Sequence, residues 1–130
     1  FAEQTESDYL TRALNLHAKA GNMNSALKVT NGDLVLILDC DHIPTSDFLQ
    51  NTVGWFMKVP KIFLVQTPHA FYNPYPVEKN LNIFGFAPAE NEMFYKYIQR
   101  GHDFWDSSFF CGSAAIIRRK YLTIIGGIAG

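Results

Sequence analysis

Asp33-Leu-Val-Leu-Ile-Leu-Asp-Cys-Asp-His-Ile-Pro44 joins an apolar strand to two acids at its tip, and the rest of the chain is placed around it. Leu34 to Leu38 is an unbroken run of five large aliphatic residues between Gly32 and Pro44, the pattern of a central parallel strand covered on both faces. A half-exposed strand would alternate instead. Side chains two apart on a strand point to the same side, so Asp39 and Asp41 project together, roughly 6–7 Å apart, where the strand ends. Two carboxylates that close repel each other unless one is protonated or a hard cation sits beside them, and oxygen ligands favour magnesium or manganese. Open α/β sheets also bind ligands at the carboxyl ends of their strands. The blander account of the same residues is a capped turn in which Asp41 serves only the loop.

At 130 residues the chain has room for one domain with a real core. Hydrophobic residues make up 48% and charged residues 18%, which argues against disorder. The net charge is -1, and basic residues cluster only at Arg118-Arg119-Lys120, so no nucleic-acid partner is expected. Cys40 and Cys111 lie in no metal-ligand spacing, and two cysteines cannot staple a small secreted domain. A reducing compartment is expected. No stretch reaches the roughly 18 apolar residues of a membrane span. The first residues, Phe1-Ala-Glu, include no initiator methionine, so the sequence reads as a piece of something longer.

Tyr9 to Arg12 reads as a short strand or an extended lead-in. Gly21 and Asn22 are good helix-starting residues ahead of Met23, Ala26, Leu27 and Thr30, with Asn31-Gly32 as the close. Lys19 would then stand just before a helix N-terminus, where a mobile positive charge beside free N–H groups suits phosphate, or it is merely solvated. After the acidic tip, Pro44-Thr-Ser-Asp47 offers an N-cap, and Phe48, Leu49, Thr52, Val53 and Phe56 share one helical face that ends before Pro60. Lys61 to Gln66 is the next buried strand, completing strand–helix–strand. By that geometry His69 comes near the acidic tip, as a ligand contact or as a structural histidine. A loop with a short helix around Val77 to Phe84 follows. Pro88 then opens a stronger helix, Ala89 to Arg100, with Met93, Phe94, Tyr97 and Ile98 as a core stripe and Gly101 as its stop. The aromatic run Asp103 to Ser113 suits a carbohydrate platform or ordinary core. Ser113 to Arg118 is a final strand and Lys120 to Ile125 a short helix. The fold class is therefore α/β, a mostly parallel sheet flanked by helices.

Four blocks, His17-Ala-Lys-Ala-Gly-Asn22, Leu38-Asp-Cys-Asp-His42, Gln66-Thr-Pro-His-Ala-Phe71, and Asp103-Phe-Trp-Asp106 followed by Phe109-Phe-Cys-Gly-Ser113, occur in this order. With them the chain, from about Tyr9 to Gly127, resembles the catalytic core of the bacterial cellulose synthases, processive inverting glycosyltransferases of the GT-A type. A lone D-x-D says little, but the ordered set is specific. The resemblance implies a Rossmann-like GT-A core, a UDP-glucose donor, Mg2+ or Mn2+, and transfer to the non-reducing end of a growing β-1,4-glucan. Lys19 and Asp39 would contact UDP, and Asp39 and Asp41 would hold the metal on the diphosphate. Phe109, Phe110, Cys111, Gly112 and Ser113 would line the terminal glucose of the acceptor, with His42 and His69 supporting from beside it. Ala114 stands where relatives often have a second cysteine.

The resemblance also makes residues 1–130 a single partial domain, the central part of a catalytic domain. The first nucleotide-binding half would lie ahead of it. The Thr-Glu-Asp motif with the general base, the Gln-x-x-Arg-Trp motif, the membrane helices and a cyclic-di-GMP-binding domain would lie after it. The parent would sit in a bacterial inner membrane with this segment on the cytoplasmic side, beside a periplasmic cellulose synthase subunit. Alone, the segment would make no glucan, and its exposed strand edges would pair into a dimer or larger assembly. Three other readings compete. Hyaluronan-, chitin- or mannan-making relatives share the D-x-D. A haloacid-dehalogenase-type phosphatase also carries Asp-x-Asp at a strand end, but wants Thr or Val where Ile43 stands. A non-catalytic sugar- or nucleotide-binding module would suit the aromatics.

Overall fold

The computed structural model describes residues 2–83, 86 and 90–129, with only the backbone of Glu3 and Glu90. Among these residues three short strands, β1 (Leu34–Ile37), β2 (Leu64–Gln66) and β3 (Ala115–Arg118), form one sheet in the order β1-β3-β2. β3 runs antiparallel to both neighbours. The Arg119 amide, just past β3, donates to the Asp33 carbonyl, just ahead of β1 (2.9 Å), and the Thr67 amide, just past β2, donates to the Ala114 carbonyl, just ahead of β3 (3.0 Å). The expectation of a mostly parallel sheet is corrected accordingly. α2 (Phe48–Lys58) carries the chain from β1 to a β2 of the same direction but leaves a gap one strand wide, which β3 fills from the opposite direction.

The central strand is thus β3, not β1. Ala115, Ile116 and Ile117 are at most 1% exposed, whereas Leu36 on β1 is 38% exposed. An unbroken apolar run makes a strand fit to be covered on both faces, but covering needs neighbours, and β1 lies at the edge of the described sheet. The antiparallel order has one consequence for function: the end of β1, the end of β2 and the start of β3 meet at the same edge.

The chain divides into two compact units, Phe1–Val35 with Ile117–Gly130, and Leu36–Ile116. In the first, residues 7–12 take no regular structure, so the strand considered there is absent. α1 (Ala18–Val29) begins earlier than Gly21, with His17 as its N-cap at φ 59°. The Gly21 amide donates to the His17 carbonyl (2.9 Å) and closes the first turn. Ala18 and Ala20 favour helix, so Lys19 sits inside the first turn rather than ahead of it. Arg12 caps this corner by donating to the carbonyls of Leu16 (2.6 Å) and Ala18 (3.2 Å). A Cβ at Gly21 would collide with the Leu16 carbonyl and the Arg12 guanidinium. Because the nearer obstacle is backbone, Gly21→Ala is expected to destabilise this unit by about 1–3 kcal/mol, the usual cost of overpacking. Urea unfolding should show it as a lower midpoint at unchanged slope. At the other end of α1, Arg119 opens α6 (Arg119–Ile124) and donates to the Leu27 carbonyl (3.0 Å), the Thr30 hydroxyl (2.9 Å) and the Gly32 carbonyl. The Asn24 amide pairs with both backbone groups of Ile128 (2.9 and 2.8 Å).

In the unit Leu36–Ile116, α2 has Asp47 as N-cap, buries Thr52 and Phe56 one turn apart, and ends at Val59 ahead of Pro60. α3 (Pro76–Leu81) starts where Glu78 accepts the Tyr75 amide (2.9 Å) and ends at Asn82, φ 53°, earlier than expected. Phe84, Pro88 and Ala89, which the sequence reading used as helix bounds, lie outside the described residues. The next helix comprises α4 (Glu90–Met93), a π-helical stretch Phe94–Ile98 and α5 (Gln99–Phe104). Gly101 does not stop it. A glycine stop needs a left-handed residue, and that conformation falls to Asp106 at φ 52° instead. The expected core stripe also fails, since Met93, Tyr97 and Ile98 are exposed and Gln99 is buried. The wider π turn spends an extra residue, so positions spaced for an α-helix no longer share a face.

Candidate active site

The site is assembled at the edge where β1 and β2 end and β3 begins, within the unit Leu36–Ile116. After β1 the chain turns back on itself, with the His42 amide donating to the Asp39 carbonyl (3.1 Å). That turn gathers three metal-ligating side chains. Ligand atoms of Asp39, Asp41 and His42 lie within 4.8 Å of one another, with Asp39 and His42 half-buried and Asp41 exposed. The Nε2 of His42 is 3.8 Å from Asp39 Oδ2. Two carboxylates and an imidazole at such spacing are a donor set that suits a divalent cation of the magnesium or manganese class.

The other ring nitrogen of His42, Nδ1, is 3.1 Å from the Ser113 hydroxyl. Ser113 is buried in the bend just ahead of β3, and its carbonyl lies 3.3 Å from His69 Nε2. The His42 and His69 rings meet edge to face, 4.8 Å between centroids, and His69 lies 5.0 Å from Tyr95 on its other side. Asn91 donates to the His69 carbonyl. Asp39, Asp41, His42, His69 and Ser113 thus belong to one continuous cluster. Lys19 belongs to the other unit, in the first turn of α1.

The segment Phe109 to Ser113 leads into this cluster. Gly112 takes φ 90°, a conformation glycine adopts freely, and Ala114 takes φ 50° where a side chain resists it. Phe109 is half-exposed and sits edge-on to Phe94 (6.2 Å) and His102 (5.6 Å). Phe104 and Trp105 are 79% and 77% exposed, so that part of the aromatic run is not core. The Cys111 thiol accepts from the buried Gln99 amide (2.9 Å). Burial pushes this thiol above its ordinary value, partly offset by the Gln99 hydrogen bond. Tyr95 is raised as well, first by burial and then by the charge Cys111 would carry. Both groups are therefore neutral at pH 7, and Cys111 offers a polar, compact contact rather than a thiolate nucleophile. Cys40 and Cys111 are both free.

Sequence reasoning missed Gln66, Tyr95 and Gln99 as parts of this arrangement. Gln66 and Tyr95 stood inside quoted or aromatic stretches, but nothing in spacing tied Gln66 to a loop 45 residues away or Tyr95 to the His69 ring. Gln99 was hidden by the π turn.

The profile of glycosyl transferase family 2 matches residues 5–125. A UDP-forming cellulose synthase catalytic subunit of Pseudomonas fluorescens is 51% identical over 129 residues, covering 99% of this chain and 18% of that protein. A cellulose synthase 2 of Novacetimonas hansenii is 54% identical over 99% of this chain and 8% of its own length. A UDP-forming cellulose synthase 1 catalytic subunit of Komagataeibacter xylinus is 54% identical over 99% of this chain and 17% of its own. The chain therefore spans less than a fifth of these relatives.

Proposed function

Because the chain belongs to glycosyl transferase family 2, we propose that it forms the centre of a GT-A catalytic domain that transfers glucose from UDP-glucose to the non-reducing end of a β-1,4-glucan. The observation that carries this reading is the convergence of the Asp39, Asp41 and His42 donors beside the Ser113 loop. The similarity to UDP-forming cellulose synthases supports the choice of donor and product.

Asp39 and Asp41 hold the divalent cation, with His42 within reach, and Lys19 contacts the UDP moiety. When bound, the cation supplies positive charge to the diphosphate as it leaves. Such stabilisation counts most where charge develops in the transition state. Phe109 offers a half-exposed ring face to the sugar, and Gly112, lacking a side chain, lets the terminal glucose approach the loop backbone between Phe110 and Ser113. His69 and His42 order the Ser113 end of that loop. The base that takes the acceptor proton comes from outside this segment. So do the membrane helices of the inner-membrane parent, its cyclic-di-GMP-binding domain and its periplasmic subunit, with this segment on the cytoplasmic side.

UDP titrated into the full-length protein with and without Mn2+ should bind markedly tighter with the metal, and among UDP-sugars glucose should be the one incorporated. Equal affinity in both titrations would remove the metal from the site, and incorporation of another sugar would reassign the donor.

A further inference from the structure

Gln66, the last residue of β2, is engaged at both ends of its side-chain amide. Its Oε1 accepts the Cys111 amide (3.0 Å), and its Nε2 donates to the Ser113 carbonyl (2.9 Å) while lying 3.3 Å from the Ala114 carbonyl and 3.1 Å from the Thr67 carbonyl. These bonds bracket the turn at Gly112 and Ala114, both at positive φ. A left-handed alanine costs about 1–2 kcal/mol, so the turn needs an outside hold. The Thr67 hydroxyl, next to Gln66, adds one bond to the Ala114 carbonyl (2.6 Å). Gln66 bonds to both sides of Gly112.

Resting on the glycosyltransferase reading, we propose that Gln66 is a positioning residue for the acceptor, holding residues 111–114 in the shape that presents the sugar hydroxyl to the donor. It touches neither sugar. Its amide must donate and accept at once, which a carboxylate cannot do. Gln66→Glu keeps the acceptor for the Cys111 amide but turns an anionic oxygen towards the Ser113, Ala114 and Thr67 carbonyls, so the loop opens. Gln66→Asn keeps the amide but is one methylene short.

A mispositioned acceptor leaves the donor site intact and lets water take its place. The water oxygen then bonds to the anomeric carbon as the bond to UDP breaks, its proton passes to the base or solvent, and free glucose appears instead of polymer. The test is radiolabelled UDP-glucose turnover by the full-length protein, counting polymer and free glucose separately, with UDP affinity measured in Mn2+. In both variants polymer formation should fall about 10²-fold, the cost of a displacement near 1 Å, with UDP affinity unchanged and the ratio of free glucose to polymer raised. An unchanged ratio, or loss of UDP binding in both variants, would overturn the positioning role. If the unsubstituted protein transfers no glucose, the glycosyltransferase reading falls and this inference with it, an outcome distinct from an active parent with an unchanged ratio.

Discussion

Asp41→Ala is expected to erase the Mn2+-dependent part of UDP binding and to lower glucose transfer by about 10²–10³-fold, the range for removing one preorganised group that stabilises developing charge. Asp39 and Asp41 differ in what they can lose. The Asp39 backbone closes the turn to His42, and its carboxylate faces the His42 ring at 3.8 Å, so substitution there disturbs the turn as well as the donor set. Asp41 is exposed on that turn, and an exposed substitution usually changes stability by no more than about 0.5 kcal/mol. The variant should therefore unfold at the parental urea concentration while failing to respond to metal. Asp41→Asn should behave in the same way, because a neutral amide of the same shape cannot offset the charge of the cation. Isothermal titration of UDP with and without Mn2+ checks both variants in the full-length protein. Retained metal dependence in either would take Asp41 out of the donor set.

The sequence carried local features well and non-local ones poorly. α2 was legible because its N-cap, apolar face and proline stop all lie within one stretch, Asp47 to Pro60. The acidic pair was legible as two acids just past an apolar run, but β1 ends at Ile37, and a turn rather than strand alternation gathers Asp39, Asp41 and His42. Strand order was not legible, since an apolar run such as Leu34–Leu38 announces that it can be covered without saying by what. β3, with Ala115 to Ile117 fully buried, took the central place. The helix after residue 90 was misread for a related reason, because a π turn leaves no composition signal and shifts every later side chain. In the candidate site, Asp39, Asp41, His42, His69 and Ser113 were named from the ordered motifs, and the geometry brings Gln66, Tyr95 and Gln99 beside them. Those three act through contacts 12 to 45 residues apart in sequence, or through a ring face, which spacing cannot express.

Cys111→Trp is expected to abolish elongation while leaving UDP and Mn2+ binding close to parental. Cys111 is compact, half-buried and followed by a glycine at φ 90°, so an indole there occupies the space assigned to the terminal glucose. The donor groups at Asp39, Asp41 and His42 are a different set of atoms and keep their turn. Some stability is lost as well, since the buried Gln99 amide gives up its sulfur partner, and an unsatisfied buried donor costs about 1–3 kcal/mol. Cys111→Ala separates bulk from chemistry. It removes the same partner from Gln99 but leaves the space open, and a thiol pushed up by burial is too little ionised at neutral pH to serve as a nucleophile. Polymer yield from the alanine variant should therefore stay within about an order of magnitude of parental, while that from the tryptophan variant falls by more than about 10²-fold, as expected when the acceptor cannot reach its reacting position. Radiolabelled glucan yield, measured beside UDP affinity for each variant, decides the matter. Normal yield from Cys111→Trp would place the acceptor elsewhere, and loss of yield in Cys111→Ala equal to that in Cys111→Trp would assign the thiol a chemical part in the transfer.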